Sequence, residues 1–433
     1  MNLTRHLGLF TWAMAAKTLP LIYGLGFLLL VVPAFPVEEH GCFAIVFSVF
    51  TYVALLNKFL VLNPMLRFAA DTNQFNCIIR SGFQLSIVFY IAGGLLIWIL
   101  TPVGAQIFRI NTSDLLLAVP LLAAFFFRDL GFFVQQTLYR TAKIFFIETV
   151  YFIGSVVGFF YLVFHLVDFG ARELLLAHII AASASSLLSI MLGFGGAKLI
   201  GRIDIEAIKK LFNYGLLTLP IGFANIVIYG ADVLILGAIY TPAVVGVYNG
   251  AKKVYQVISN ITQAVGILVL PYASRLSSSG RKDELKALFE KTTVYIWIGL
   301  FGISIIGWLF ADVLYSFLGE AYIGSALLLS IMLFAAPFEG IFYTAGNILY
   351  GIGEAKRVAK VSTYGMIILM IILLPSVYFF DGVGAAGALC VGLIVLGGGM
   401  FRVCGNYVDS GLMASIHRLR KNIGNLLQTG RNA

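Results

Sequence analysis

Charge is what this sequence has least of. Asp, Glu, Lys and Arg make up 11% of its 433 residues, against about 25% in a soluble domain, and that shortage excludes a water-soluble fold. Cysteine is scarce too. Cys42, Cys77, Cys390 and Cys404 stand far apart with no Cys-x-x-Cys spacing, so neither a disulfide framework nor a metal site is expected. There is no glycine-rich nucleotide loop, no His-Glu-x-x-His and no carboxylate pair toward an outer loop, and His6, His40, His165, His178 and His417 are isolated. No enzyme chemistry and no cofactor are therefore expected. The net charge of +9 sits in connecting segments, where topology explains it better than a nucleic-acid partner does.

What is present is apolar length. The chain is 60% hydrophobic with a mean hydropathy of +0.96, in runs long enough to cross roughly 30 Å of hydrocarbon with about 20 residues each. The runs do not alternate, so a β-barrel is excluded and helices remain. The expected fold is an all-α polytopic membrane protein of about twelve transmembrane helices. The first run lacks a small-residue cleavage site before Pro33 and is expected to be retained as a helix. Lys and Arg fall almost wholly on one side: Arg5, Arg67, Arg80, Arg140, Lys143, Lys198, Arg202, Lys209, Lys210, Arg275, Arg281, Lys282, Lys286, Lys291, Lys356, Arg357, Lys360, Arg418, Arg420, Lys421 and Arg431, against only Arg109 and Arg172 on the other. The positive-inside rule makes the first side cytoplasmic and predicts an inner-membrane protein with both termini inside. Two basic segments, Ile203 to Phe212 and Ser279 to Lys291, have the apolar spacing of short interfacial helices.

The two halves share landmarks in register. Thr18-Leu19-Pro20 recurs as Thr218-Leu219-Pro220, Gly41 as Gly246, Pro64 as Pro271, and Leu138-Tyr139 with Ala142-Lys143 as Leu349-Tyr350 with Ala355-Lys356. Both halves start inside, which predicts a parallel pseudo-repeat of two six-helix lobes, 1–200 and 213–408, joined by a basic linker at 201–212 and followed by a basic tail at 409–433. Transporters of this build hold substrate between their lobes and expose it to each side in turn.

Ionisable residues inside spans are costly and face a cavity or a partner. Lys17, Lys252 and Lys253 are candidates to line a cavity that takes an anionic cargo, since lysine suits phosphate without demanding one geometry. Lys58 is a further substrate candidate that also reads as a cation reaching the inner headgroups, as does Arg402. Arg128 is a substrate candidate or half of a structural pair with Asp129. Asp232, Glu339 and Asp129 are candidates for carrying a proton or sodium ion, or for counter-ions to the lysines.

Several stretches carry a family resemblance. Leu211-Phe212-Asn213-Tyr214-Gly215-Leu216, Asp232-Val233-Leu234-Ile235-Leu236-Gly237, Val245-Gly246-Val247-Tyr248-Asn249-Gly250-Ala251-Lys252-Lys253, Leu270-Pro271-Tyr272-Ala273-Ser274-Arg275-Leu276 and Tyr350-Gly351-Ile352-Gly353-Glu354-Ala355-Lys356 resemble the Wzx-type polysaccharide flippases. These belong to the multidrug/oligosaccharidyl-lipid/polysaccharide exporter superfamily. The resemblance implies alternating access and export of an undecaprenyl-pyrophosphate-linked oligosaccharide, an O-antigen or other surface-polysaccharide unit, with Lys17, Lys252 and Lys253 at the pyrophosphate or acidic sugars. The partners implied are that cargo, membrane lipids, a glycan polymerase or assembly complex, and a coupling proton or sodium ion. The rivals are a multidrug exporter of the same superfamily, a membrane-embedded polymerase or ligase, and a non-transporting scaffold in a glycan assembly complex. The cation-rich interior weighs against the first and short outer loops against the second.

Overall fold

The computed structural model describes residues 12–411 apart from 13–14, 17, 21, 25, 70–73, 166–168, 319–321 and 323–324, and among the described residues it contains helices and no strand. After a π-helical turn at Phe27–Val31 come α1 (Val37–Phe68), α2 (Phe75–Phe108), α3 (Thr112–Thr137), α4 (Thr141–His165) and α5 (Ala171–Leu192). There follow α6 (Ile205–Ile226), a π turn at Val227–Ala231, α7 (Asp232–Ile239) and α8 (Pro242–Ser278). The chain ends in α9 (Lys282–Leu309), α10 (Ala311–Leu318), α11 (Ala326–Gly351) and α12 (Ala355–Tyr407). Eight of these, α1 to α5, α9, α11 and α12, are long and apolar enough to cross a membrane. The last is two helices joined at a kink, where Phe380 and Asp381 leave helical geometry and Asp381 has φ 47°. This is a multi-pass membrane protein. The eight do not by themselves make up the expected twelve.

The two basic segments do not form separate interfacial helices. Lys282 to Lys291 is the first part of α9 and Ile205 to Phe212 the first part of α6, which continues through Gly215 and Pro220 to Ile226. The basic tail beyond Gly411 lies outside the described residues.

The chain packs as two compact units, Met1–Gly250 and Ala251–Ala433. In the first, helices approach through small residues, as membrane helices must when apolar burial gives them no mutual attraction in lipid. Gly154 and Gly158 on α4 form a Gly-x-x-x-Gly face, and a Cβ added at either would meet Ala181 at 3.0 Å or Ala177 at 2.9 Å on α5. The serines of α5 extend this seam: Ser185 donates to the Ile147 carbonyl at 2.6 Å and Ser186 to the Ala124 carbonyl at 2.5 Å. The first turns of α1 and α8 meet backbone to backbone, with Gly41 against the Pro242 carbonyl and Gly246 against that of Val37. Neither glycine has room for a Cβ. In the second unit Gly397 of α12 lies against the Phe338 carbonyl of α11 in the same way, and Ser304 of α9 donates to the Leu333 carbonyl at 2.7 Å.

Candidate functional site

A charged cavity lies in the first unit, between α1, α3 and α4. Its volume is about 290 Å³, and Lys58, Arg128, Asp129 and Glu148 share its lining with Phe50, Phe125, Phe132 and Phe133. Arg128 is the hub. One of its terminal nitrogens donates to both Glu148 carboxylate oxygens at 2.9 Å, and the other donates to Asp129 Oδ1 at 3.0 Å. Its guanidinium also lies over two rings, Tyr151 at 4.6 Å and Phe125 at 5.0 Å from the centroids. Planar, weakly hydrated guanidinium is suited to this combination of forked carboxylate contact and aromatic stacking.

The helix backbone is adjusted to hold Arg128 there. The Ser186 hydroxyl donates to the Ala124 carbonyl while accepting from the Arg128 amide at 2.9 Å. It thus bridges the two ends of one i to i−4 step of α3, an insertion of the kind that bends helices. On the other wall Lys58 opens a π-helical turn, Lys58–Leu62, close enough for its charge to act on Asp129. The structure therefore brings three sequence candidates, Lys58, Arg128 and Asp129, into one cavity. Glu148 completes the set. The structural pairing of Arg128 with Asp129 is seen, but the bidentate partner is Glu148 of the next helix.

A polar network continues behind this cavity. Tyr151, whose ring faces Arg128, lies 3.1 Å through its hydroxyl from His178 Nδ1, and Tyr23 lies 3.0 Å from Nε2 of the same histidine. His178 is buried among the rings of Phe43 and Phe47. In the sequence it stands isolated, because its partners come from helices 27 and 155 residues away.

Asp232 is not among the residues of that cavity. It is buried at the junction of the π turn Val227–Ala231 and α7, where its carboxylate accepts from the Tyr248 hydroxyl and from the Val233 amide at 2.8 Å. Nearby in the same unit, His40 and Asn249 are 3.1 Å apart and both buried. Within the second unit Glu339 is fully buried, accepting from Tyr255 at 2.5 Å and Ser259 at 2.7 Å. Lys252 is buried three residues before Tyr255 on α8, and its charge acts on Lys253. Lys17 lies outside the described residues.

The sequence pattern of a family described as "Polysaccharide biosynthesis protein" matches residues 35–327. That is more than half of the chain. The chain belongs to this polysaccharide biosynthesis family. Among solved structures it resembles "Lipid II flippase MurJ, inward closed conformation", with a TM-score of 0.74 at 13% identity over 94% of this chain and 89% of that one. It also resembles an inward-facing multidrug resistance MATE family transporter of the MOP superfamily, with a TM-score of 0.69 at 14% identity over 91% and 94% of the two chains. A third match is the eukaryotic MATE transporter AtDTX14, at 0.62 and 14% identity over 96% and 95%. No curated protein matches. At these identities the likeness establishes the fold alone, and family membership ties the chain to polysaccharide biosynthesis.

Proposed function

We propose that this protein is a flippase that moves a lipid-linked oligosaccharide, built on a polyprenyl pyrophosphate, across the bacterial inner membrane by alternating access. The observation that carries the reading is the cavity of Arg128. It combines carboxylates and cations, which pair with sugar hydroxyls and acidic groups, with phenylalanine faces on which a sugar ring can stack, all at membrane depth. Lys252 and Lys253 would meet the pyrophosphate at another stage of the path, and Asp232 or Glu339 would carry a coupling proton or sodium ion.

Several features support a rocking cycle in this reading. The backbone contact of Gly41 with Pro242 and of Gly246 with Val37 closes the α1 and α8 ends in one state, and the π turns at Lys58–Leu62 and Val227–Ala231 supply places where those helix runs can change register. Moving a net negative head outward is assisted by about 2.3 kcal/mol per charge per 100 mV when the cytoplasm is negative.

The test is a deletion strain. Complete lipid-linked oligosaccharide should accumulate in the inner leaflet with loss of surface polysaccharide, both reversed by the plasmid-borne gene and not by its Arg128→Ala variant. Normal surface polysaccharide with altered drug tolerance would replace the reading with that of a multidrug exporter.

A further inference from the structure

A second void lies on a different face of α3 from the charged cavity. It is a groove of about 830 Å³ between α2 and α3, near the upper end of the ~300 to 1,000 Å³ of ordinary ligand sites, and its walls are almost wholly hydrocarbon. Tyr90, Gly94 and Trp98 line it from α2, and Leu116, Val119 and Phe126 from α3. Trp98 is 60% exposed and Leu95, beside it on the same wall, 53%, so the groove opens on the face that meets lipid. Its floor at Gly94 is bare: a Cβ there would meet only Val119, at 3.7 Å.

One end of this groove touches the charged cavity. The Tyr90 hydroxyl donates to Asp129 Oδ2 at 3.5 Å, and Asp129 lines the cavity while Tyr90 lines the groove. The partition is no thicker than α3 itself, whose Phe125, Arg128, Asp129 and Phe132 face the cavity and whose Ala123, Phe126 and Phe127 face the groove. An amphiphile whose polar head occupies the cavity has its chain delivered to the groove by this adjacency. A bilayer phospholipid is the competing occupant.

Resting on the flippase reading, we propose that the α2/α3 groove seats the polyprenyl chain of the cargo, with Tyr90 at the junction of chain and head. The groove takes the first isoprene units next to the pyrophosphate, and the rest of the chain remains in the bilayer. The walls supply contact without hydrogen bonds, so they select a branched hydrocarbon by shape rather than by polarity.

The probe is a photoreactive polyprenyl phosphate, added to the full-length protein in proteoliposomes, with labelled peptides identified by mass spectrometry. Labelling is expected in the α2 and α3 segments around Gly94 and Val119. Unlabelled polyprenyl phosphate should compete it away, while a large excess of phosphatidylethanolamine should not. Gly94→Leu and, from the facing helix, Val119→Trp fill the groove and should lower labelling to that of a photoreactive phosphatidylethanolamine, while Gly302→Leu, at an open glycine of the second unit, should label like wild type. Equal labelling by the phospholipid probe, or labelling that Gly94→Leu and Val119→Trp leave intact, overturns the assignment. If the deletion strain shows accumulated oligosaccharide and the groove is still unlabelled, the chain site alone has failed. If no oligosaccharide accumulates, the flippase reading has failed with it.

Discussion

The Arg128 cluster makes a quantitative prediction about membrane-protein stability. Arg128 and Glu148 side chains are only 12% and 9% exposed, so solvent screening of their pair is slight, and removing one partner of a buried ion pair costs about 3 to 5 kcal/mol because the other charge is stranded. Arg128→Met strands both Asp129 and Glu148 and should cost the full amount, about 4 kcal/mol. Glu148→Gln leaves Arg128 its 3.0 Å contact with Asp129 and a neutral acceptor in place of the charged fork, so about 2 kcal/mol is expected, near half. Combining Arg128→Met with Glu148→Gln and Asp129→Asn removes the three charges of the Arg128 ion pairs together, leaving Lys58 as the remaining cation of the cavity, and should recover much of the loss, since buried charges repay their desolvation only while their partners are present. The assay is reversible unfolding of the purified protein in mixed micelles, followed by helical circular dichroism. A triple variant no more stable than Arg128→Met, or a Glu148→Gln variant within about 0.5 kcal/mol of wild type, would refute the argument that the cluster is a mutually dependent unit.

Other consequences follow from single contacts. Ser186→Ala removes the hydroxyl that bridges Ala124 and Arg128, and should cost about 1 to 2 kcal/mol in the same unfolding assay while reducing export more than Ser185→Ala does. Gly41→Val, with no room against the Pro242 carbonyl, should block folding or trap the protein, read as loss of surface polysaccharide at unchanged message level; Gly299→Ala, at an open glycine, should have no effect. Tyr248→Phe deprives buried Asp232 of its hydroxyl donor and should destabilise by about 1 to 3 kcal/mol, measured against Tyr272→Phe at an exposed tyrosine. Outside the spans, Asp204 starts α6, accepting from the Cys77 thiol at 3.0 Å and the Ala207 amide at 2.9 Å, and these bonds hold its pKa below the usual carboxylate value. Its contribution is therefore present above the ordinary Asp pKa of about 3.9 and lost as pH falls through the lowered folded value, so the protection of the α6 start against hydrogen exchange, taken relative to the intrinsic rate at each pH, should fall on acidification and fall at higher pH in Cys77→Ala.

The sequence by itself determined that the chain lives in a membrane, because 11% charge and long unbroken apolar runs leave no other solvent for it. It also pointed to the residues worth watching, since an ion in a span has to be matched by something: Lys58, Arg128 and Asp129 share one cavity, and Asp232, Glu339 and Lys252 are buried. The Gly154-x-x-x-Gly158 face was there to be read from spacing alone. What only the tertiary structure decided is who answers each charge. Glu148 reaches Arg128 from the next helix, Ser186 from the helix after that, and His178 joins them through Tyr151. The same holds for the three π turns and for the merging of both basic segments into long helices. Helical periodicity fixes which residues share a face of one helix, but not the rotation of that helix against its neighbours. That rotation comes from packing small residues at close approach, and it alone sets charge against charge and opens one face of α3 to a polar cavity and another to a groove lined with hydrocarbon.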